Sequence, residues 1–196
     1  AINSVNTAAD GFNGEQGAFL NNNNSNYNST ILQPSTANNG ESYSLPLNTF
    51  TSIVYGIIHS HPVYDGKPPA APMFSFDDLN SLVLLYRKTD PINRPDVVIM
   101  LVIPDGSVYA LKIDDYIKFA TYVNSYDNLL DVQRKNTVRD KLDAKNAVFD
   151  RLTRNGAQEG NNDNEERYVR GFIDEMKNKG VSLFKLVDNK TKWEKI

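Results

Sequence analysis

Apolar positions follow two rhythms along this chain of 196 residues, and the change between them comes near residue 114. Before it, short apolar or alternating runs stand between turn-forming clusters, the pattern of strands. Six are predicted: "EQGAFL" (15–20), "STILQP" (29–34), "ESYSLPL" (41–47), "FTSIVYGIIHSH" (50–61), "DVVIMLVI" (96–103) and "SVYALKI" (107–113). The last two are joined by "IPDGS", in which Asp-Gly supplies the positive dihedrals of a tight hairpin. Val97 to Ile103 is apolar throughout, as suits a central strand covered on both faces, and such cover requires helices.

One helix is predicted inside this strand-rich half. It starts at "SFDDLNSLVLLYRK" with Ser75 as N-cap, carries Leu79, Leu82, Val83 and Tyr86 on one face, and ends before "DPINRP". After Asp114 the helical spacing takes over, predicting helices over 114–126, 128–153 and 164–179. A closing strand pair follows in "VSLFKLVDNKTKWEKI", with 181–187 alternating as an edge strand does. Two asparagine-rich stretches lack anchoring apolar residues: "LNNNNSNYNST" (20–30) reads as a turn or loop tip and "NGAQEGNNDNEE" (155–166) as a mobile inter-helix loop. The expected fold class is α/β, a mixed β-sheet flanked by helices. Residues 1–115 are expected to form the core, and 116–196 a helical extension with a closing strand pair packed on it.

Composition narrows the chemistry. With 40% hydrophobic residues, ten Tyr and nine Phe, the chain can bury a core without a covalent staple. It has no cysteine, which excludes disulfides, thiolate metal sites and Cys nucleophiles; a metal would be held by His, carboxylate and water. The net charge of −3 gives no long-range attraction to nucleic acid or anionic lipid, so neither is an expected partner. No run approaches the roughly 18 to 20 apolar residues of a membrane-spanning helix. The chain opens on "AINSVNTAAD" with no charged start followed by an apolar stretch, and is expected to be a domain excised from something longer or a product of processing.

The chain has two histidines, and both lie in "HSHP" at the end of the predicted fourth strand. Residues i and i+2 of a strand share a face, so His59 and His61 present two imidazoles side by side, and Pro62 ends the pairing. Two such rings form a bidentate claw for zinc, and a third protein ligand is expected nearby. Carboxylate is the one anionic type left. Asp78 is the best placed, because Ser75-x-x-Asp78 opens the next helix and the strand-to-helix connection brings that turn back over the strand end; Asp65 and Asp77 compete. Ser-x-x-Asp is equally a capping arrangement, in which Ser75 accepts from the Asp78 amide and the carboxylate favours the positive end of the helix.

"HSHP" followed by "SFDD" resembles the motif of the JAMM (JAB1/MPN+) zinc metalloproteases, His-x-His-Pro, a spacer, then Ser-x-x-Asp. The resemblance covers roughly residues 10 to 115 and implies a JAB1/MPN-like fold, of cytidine-deaminase-like layout, with the helical region as an extension. It implies Zn²⁺ held by His59, His61 and Asp78, with Ser75 helping to hold the water or the developing oxyanion. The family also has an upstream glutamate as general acid and base, in an early strand and followed closely by glycine and apolar residues. Glu15 in "GEQGAFL", 44 positions before His59, matches this; Glu41 in "GESYSLPL", 18 positions before, stands too near for the family's strand order. The spacer from Val63 to Phe74 departs from the pattern: it runs to twelve residues, with "DGKPPAAP" inserted.

The expected function is a zinc-dependent metallopeptidase or isopeptidase acting on a peptide or protein substrate. The alternative is a non-catalytic domain of the same fold used for binding, within a larger secreted or processed protein. A large-barrel His-x-His phosphoesterase needs more chain and further histidines than this sequence has.

Overall fold

The computed structural model describes residues 16–23, 25–32, 51–61, 72–103, 105–154, 164–187 and 191–196. Among them seven strands form one mixed sheet: β1 (Gly17–Asn23), β2 (Asn26–Leu32), β3 (Val54–Ser60), β4 (Val98–Val102), β5 (Val108–Ile113), β6 (Val181–Val187) and β7 (Lys192–Lys195). The spatial order is β2-β1-β3-β4-β5-β6-β7. β4 lies at its centre, as its apolar run predicts. β3 and β4 pair in parallel, with His59 beside Leu101, and every other neighbouring pair is antiparallel.

Among the described residues the α-helices are α1 (Phe76–Lys88), α2 (Tyr116–Ser125), the single turn α3 (Leu130–Gln133), α4 (Val138–Arg154) and α5 (Asn164–Met176). α1 forms the crossover that a parallel strand pair needs. Its inward stripe of Leu79, Leu82, Val83 and Leu85 is buried against Ile57, Ile99, Leu101 and Leu111 of the sheet. Phe119 of α2, Phe149 of α4 and Phe172 of α5 enter the same cluster, so the segment after Asp114 completes one core with the strands before it.

Four expectations are corrected. The stretch "LNNNNSNYNST" is mostly strand, with its tip beside Ser25, whose φ of 68° is left-handed. Polar side chains do not bar a β-ladder, and here Asn21 Nδ2 donates across it to Asn28 Oδ1 and Thr30 Oγ1, 3.0 Å each. The helix predicted over 128–153 is broken, because Thr137 accepts from the Asp140 amide at 3.0 Å and so caps a new helix at Val138. β6 is one strand in from the edge, and β7 takes the edge. Finally, all the helix residues in the buried clusters lie on the sheet face that carries Ile57, and the smaller cluster of Ala18, Ile58, Val102 and Val108 on the other face contains none. The strand predicted over 41–47 and residues 155–163 of the inter-helix loop lie outside the described residues.

Candidate metal centre

β3 delivers both histidines to its carboxyl end. Ile57, His59 and His61 alternate toward the helix layer, and the His61 amide still donates to the Val102 carbonyl at 3.0 Å, which carries the pairing with β4 one residue past the strand. The imidazole centroids are 5.1 Å apart, with ring planes at 62°. Phe74 packs against His59 at 6.4 Å between ring centroids. Ser60, between the histidines, points to the opposite face; its hydroxyl accepts from the Gln16 amide at 3.0 Å, and its own amide donates to the Gln16 carbonyl at 2.9 Å. These bonds tie the start of β1 to the histidine pair.

The first turn of α1 supplies the carboxylate. Ser75 is the N-cap: its Oγ accepts from the Asp78 amide at 3.3 Å and donates to Asp78 Oδ2 at 2.8 Å. The Ser75 amide donates to the same oxygen at 2.7 Å, closing the capping box. Asp78 Oδ1 is left facing the sheet, 3.2 Å from His59 Nε2. Capping and ligation are therefore compatible readings of one Ser-x-x-Asp, because the carboxylate divides its two oxygens between them.

His59, His61 and Asp78 are all buried, and each offers one ligand atom within 4.8 Å of the others. Two atoms bound tetrahedrally to one zinc at about 2.0–2.1 Å lie roughly 3.3 Å apart, so the 3.2 Å between His59 Nε2 and Asp78 Oδ1 fits a shared ion. The electrostatics agree. Burial, the largest single influence, would raise the pKa of Asp78, but His59, then His61 and the Ser75 amide, outweigh it and hold the carboxyl well below the usual range. The surroundings that keep this buried carboxylate anionic also favour a cation between it and the imidazoles.

Asp77 lies outside this group. It is half-buried, its amide donates to Asn146 Oδ1 of α4 at 3.3 Å, and its carboxyl is pushed up to about 6, by burial first and with Asp78 and Asp143 adding to it. Asp65, Glu15 and Glu41 lie outside the described residues. Sequence reasoning passed over the Gln16–Ser60 brace and the Phe74 wall on His59. The one available signal was the position of Ser60 between two inward-facing histidines, which turns it to the other face.

Comparison with protein-family models, with curated proteins and with solved structures returns no match. Among the described residues no helix is long and apolar enough to cross a membrane.

Proposed function

We propose that this protein is a zinc-dependent metallopeptidase or isopeptidase with a JAB1/MPN-like core, resembling the JAMM enzymes. The observation that carries this reading is the convergence of His59, His61 and Asp78 on one buried point, with Ser75 bound to Asp78. Zinc, when bound there, supplies a Lewis acid that lowers the pKa of a coordinated water to about 7 and polarises a carbonyl.

The chain's own residues have distinct tasks. The imidazoles of His59 and His61 and the outer oxygen of Asp78 hold the ion, while Ser75 fixes the Asp78 rotamer through two hydrogen bonds to Oδ2. In this geometry the single hydroxyl proton of Ser75 is on Asp78, so Ser75 reaches a developing oxyanion only by releasing that carboxylate. Glu15 is the proposed general base and acid, taking a proton from the attacking water and returning it to the leaving amine. The backbone of its chain neighbour Gln16 is tied by two hydrogen bonds to Ser60, one to the hydroxyl and one from the amide, between the ligand histidines, which supports the assignment.

The test is metal analysis of the purified protein, then incubation of the zinc-loaded chain and its Glu15→Ala and His61→Ala variants with peptides and isopeptide-linked peptides. Hydrolysis by the wild type alone, with zinc retained by Glu15→Ala and lost by His61→Ala, is the expected result. Equal activity in all three would sink the proposal; stoichiometric zinc without hydrolysis would favour the binding-domain alternative.

A further inference from the structure

At the end of the sheet remote from the histidines, where β1 finishes and β4 begins, lies an open cleft of about 520 Å³. The length of β3, roughly 20 Å, separates the two places. Among the described residues the cleft is lined mainly by three amides, Asn22, Asn23 and Asn93, two carboxylates, Asp90 and Asp96, and the ring of Tyr27. Its size is that of a ligand pocket.

The polar side chains are held in place by the fold. Asn22 Nδ2 donates to Asn93 Oδ1 at 3.0 Å, joining segments 71 residues apart, and Asn22 Oδ1 accepts from the Ser25 amide at 2.9 Å. Asp90 donates its amide to Ser52 at 2.9 Å, accepts from the Asn93 amide at 2.8 Å, and receives the Ile92 amide on Oδ1 at 3.1 Å. These bonds leave hydrogen-bonding capacity unused toward the cleft. Asn93 is only 9% exposed, yet its Nδ2 has no hydrogen-bond partner among the described residues. The Asn23 amide and the Asp96 carboxylate likewise make no hydrogen bond among the described residues. These groups face the open cleft, where water meets them, and a ligand that displaces that water has to replace its hydrogen bonds.

The chemistry of the lining selects the class of that ligand. No Lys, Arg or His stands among the described lining residues, and two carboxylates do, so an anion is repelled. An organic cation would meet the carboxylates but would turn a positive group toward the Asn93 N–H donors, which need an acceptor. A purely apolar molecule would leave the amides unmet. Hydroxyl groups both donate and accept, and so serve amides and carboxylates at once. Tyr27, 60% exposed and braced edge-on by Tyr55 at 5.9 Å, offers a ring for a flat apolar face to rest on. We propose that this cleft is a binding site for a neutral oligosaccharide, separate from the metal centre.

The test is an NMR-detected titration of the full chain with chitotetraose, cellotetraose and maltotetraose, and separately with spermidine. At least one tetrasaccharide is expected to bind saturably with a dissociation constant below about 1 mM. Tyr27→Ala and Asn23→Ala, both at exposed positions, should weaken that binding at least tenfold while leaving the melting temperature unchanged. Ser29→Ala, exposed on β2 and outside the cleft lining, should bind as the wild type does. Three results would overturn the proposal: no saccharide binding up to about 10 mM, spermidine binding in its place, or saccharide binding indifferent to Tyr27→Ala and Asn23→Ala.

Discussion

His59 Nε2 and Asp78 Oδ1 stand 3.2 Å apart although they lie 19 positions apart in the chain. One sits at the end of a strand, the other in the first turn of the crossover helix that leaves it. The carboxylate is anchored from behind by Ser75, so its outer oxygen is held toward the imidazole and does not turn away to cap the helix.

An ion shared by these residues would stabilise the folded chain, since the unfolded chain has no preformed site. At a zinc concentration about 100 times the dissociation constant the gain is about 2.7 kcal/mol, or roughly 5 to 10 °C in melting temperature for a chain of this size. Thermal melts in zinc and in chelator should differ by that amount for the wild type and coincide for Asp78→Ala and His61→Ala.

Ser75→Ala removes a cap and one of the two bonds to Asp78 Oδ2. The expected cost is about 1 kcal/mol of stability together with a 10- to 100-fold loss of metal affinity. Ser75→Thr, which keeps the hydroxyl, should restore both. Urea denaturation and a competitive metal titration measure the two effects separately, and a stability loss with no change in affinity would show that Ser75 is a cap only.

A row of rings links the histidines to the last helices: Phe74 contacts His59, Phe172 contacts Phe74 at 5.8 Å, and Phe149 contacts Phe172 at 6.0 Å. Phe172 is fully buried. Phe172→Ala should cost about 3 to 5 kcal/mol, read from denaturant unfolding, and should also broaden the His59 ring resonances, because the wall behind that ring loses its support.

Gly180 closes the turn from α5 into β6 with φ +86°, and its carbonyl accepts from the amides of Asp114 and Asp115 at 2.8 and 2.9 Å. A Cβ added there would stand 2.4 Å from the Asp115 carbonyl oxygen, a backbone atom that cannot swing aside. Gly180→Ala is therefore expected to destabilise by at least about 2 kcal/mol, more than the left-handed dihedral alone explains. A loss within a few tenths of Gly56→Ala, where the nearest atom is the flexible tip of Leu20, would contradict this.

Tyr122 and Tyr126 share a hydrogen bond of 2.9 Å, and Tyr122 donates to Glu175 at 2.8 Å. Burial first, then the Glu175 charge, pushes Tyr126 up to about 12, and Tyr122 is raised as well. An unfolded tyrosine loses its proton near pH 10. Folding therefore holds protons that the unfolded chain releases, and the resulting stability is complete below pH 10 and is lost as pH rises from 10 through 12. Unfolding free energies measured across pH 9 to 12 should fall steeply, and less steeply for Tyr126→Phe.

The parts of the fold legible in the sequence were those decided within a few residues. α1 begins just after its N-cap Ser75 because the capping box is local, and the hairpin from β4 to β5 turns where expected, with Gly106 at a φ of 83°, although Asp105 does not share the positive dihedral that Asp-Gly led one to expect. Where local signals conflicted, the reading went astray. Thr137 carried a capping signal inside an otherwise helical pattern, and the Asn-rich hairpin depended on cross-strand bonds that no single strand reveals.

The sequence by itself determined that His59 and His61 share a face, because the two-residue period of a strand is a property of the backbone. It also determined that Asp78 belongs to a helix start. Only the tertiary structure decided that Asp78, and not its neighbour Asp77, faces the imidazoles. Successive helix residues point about 100° apart, and the angle at which α1 lies on the sheet is set by the packing of Leu79, Leu82 and Leu85, which selects the one that turns inward.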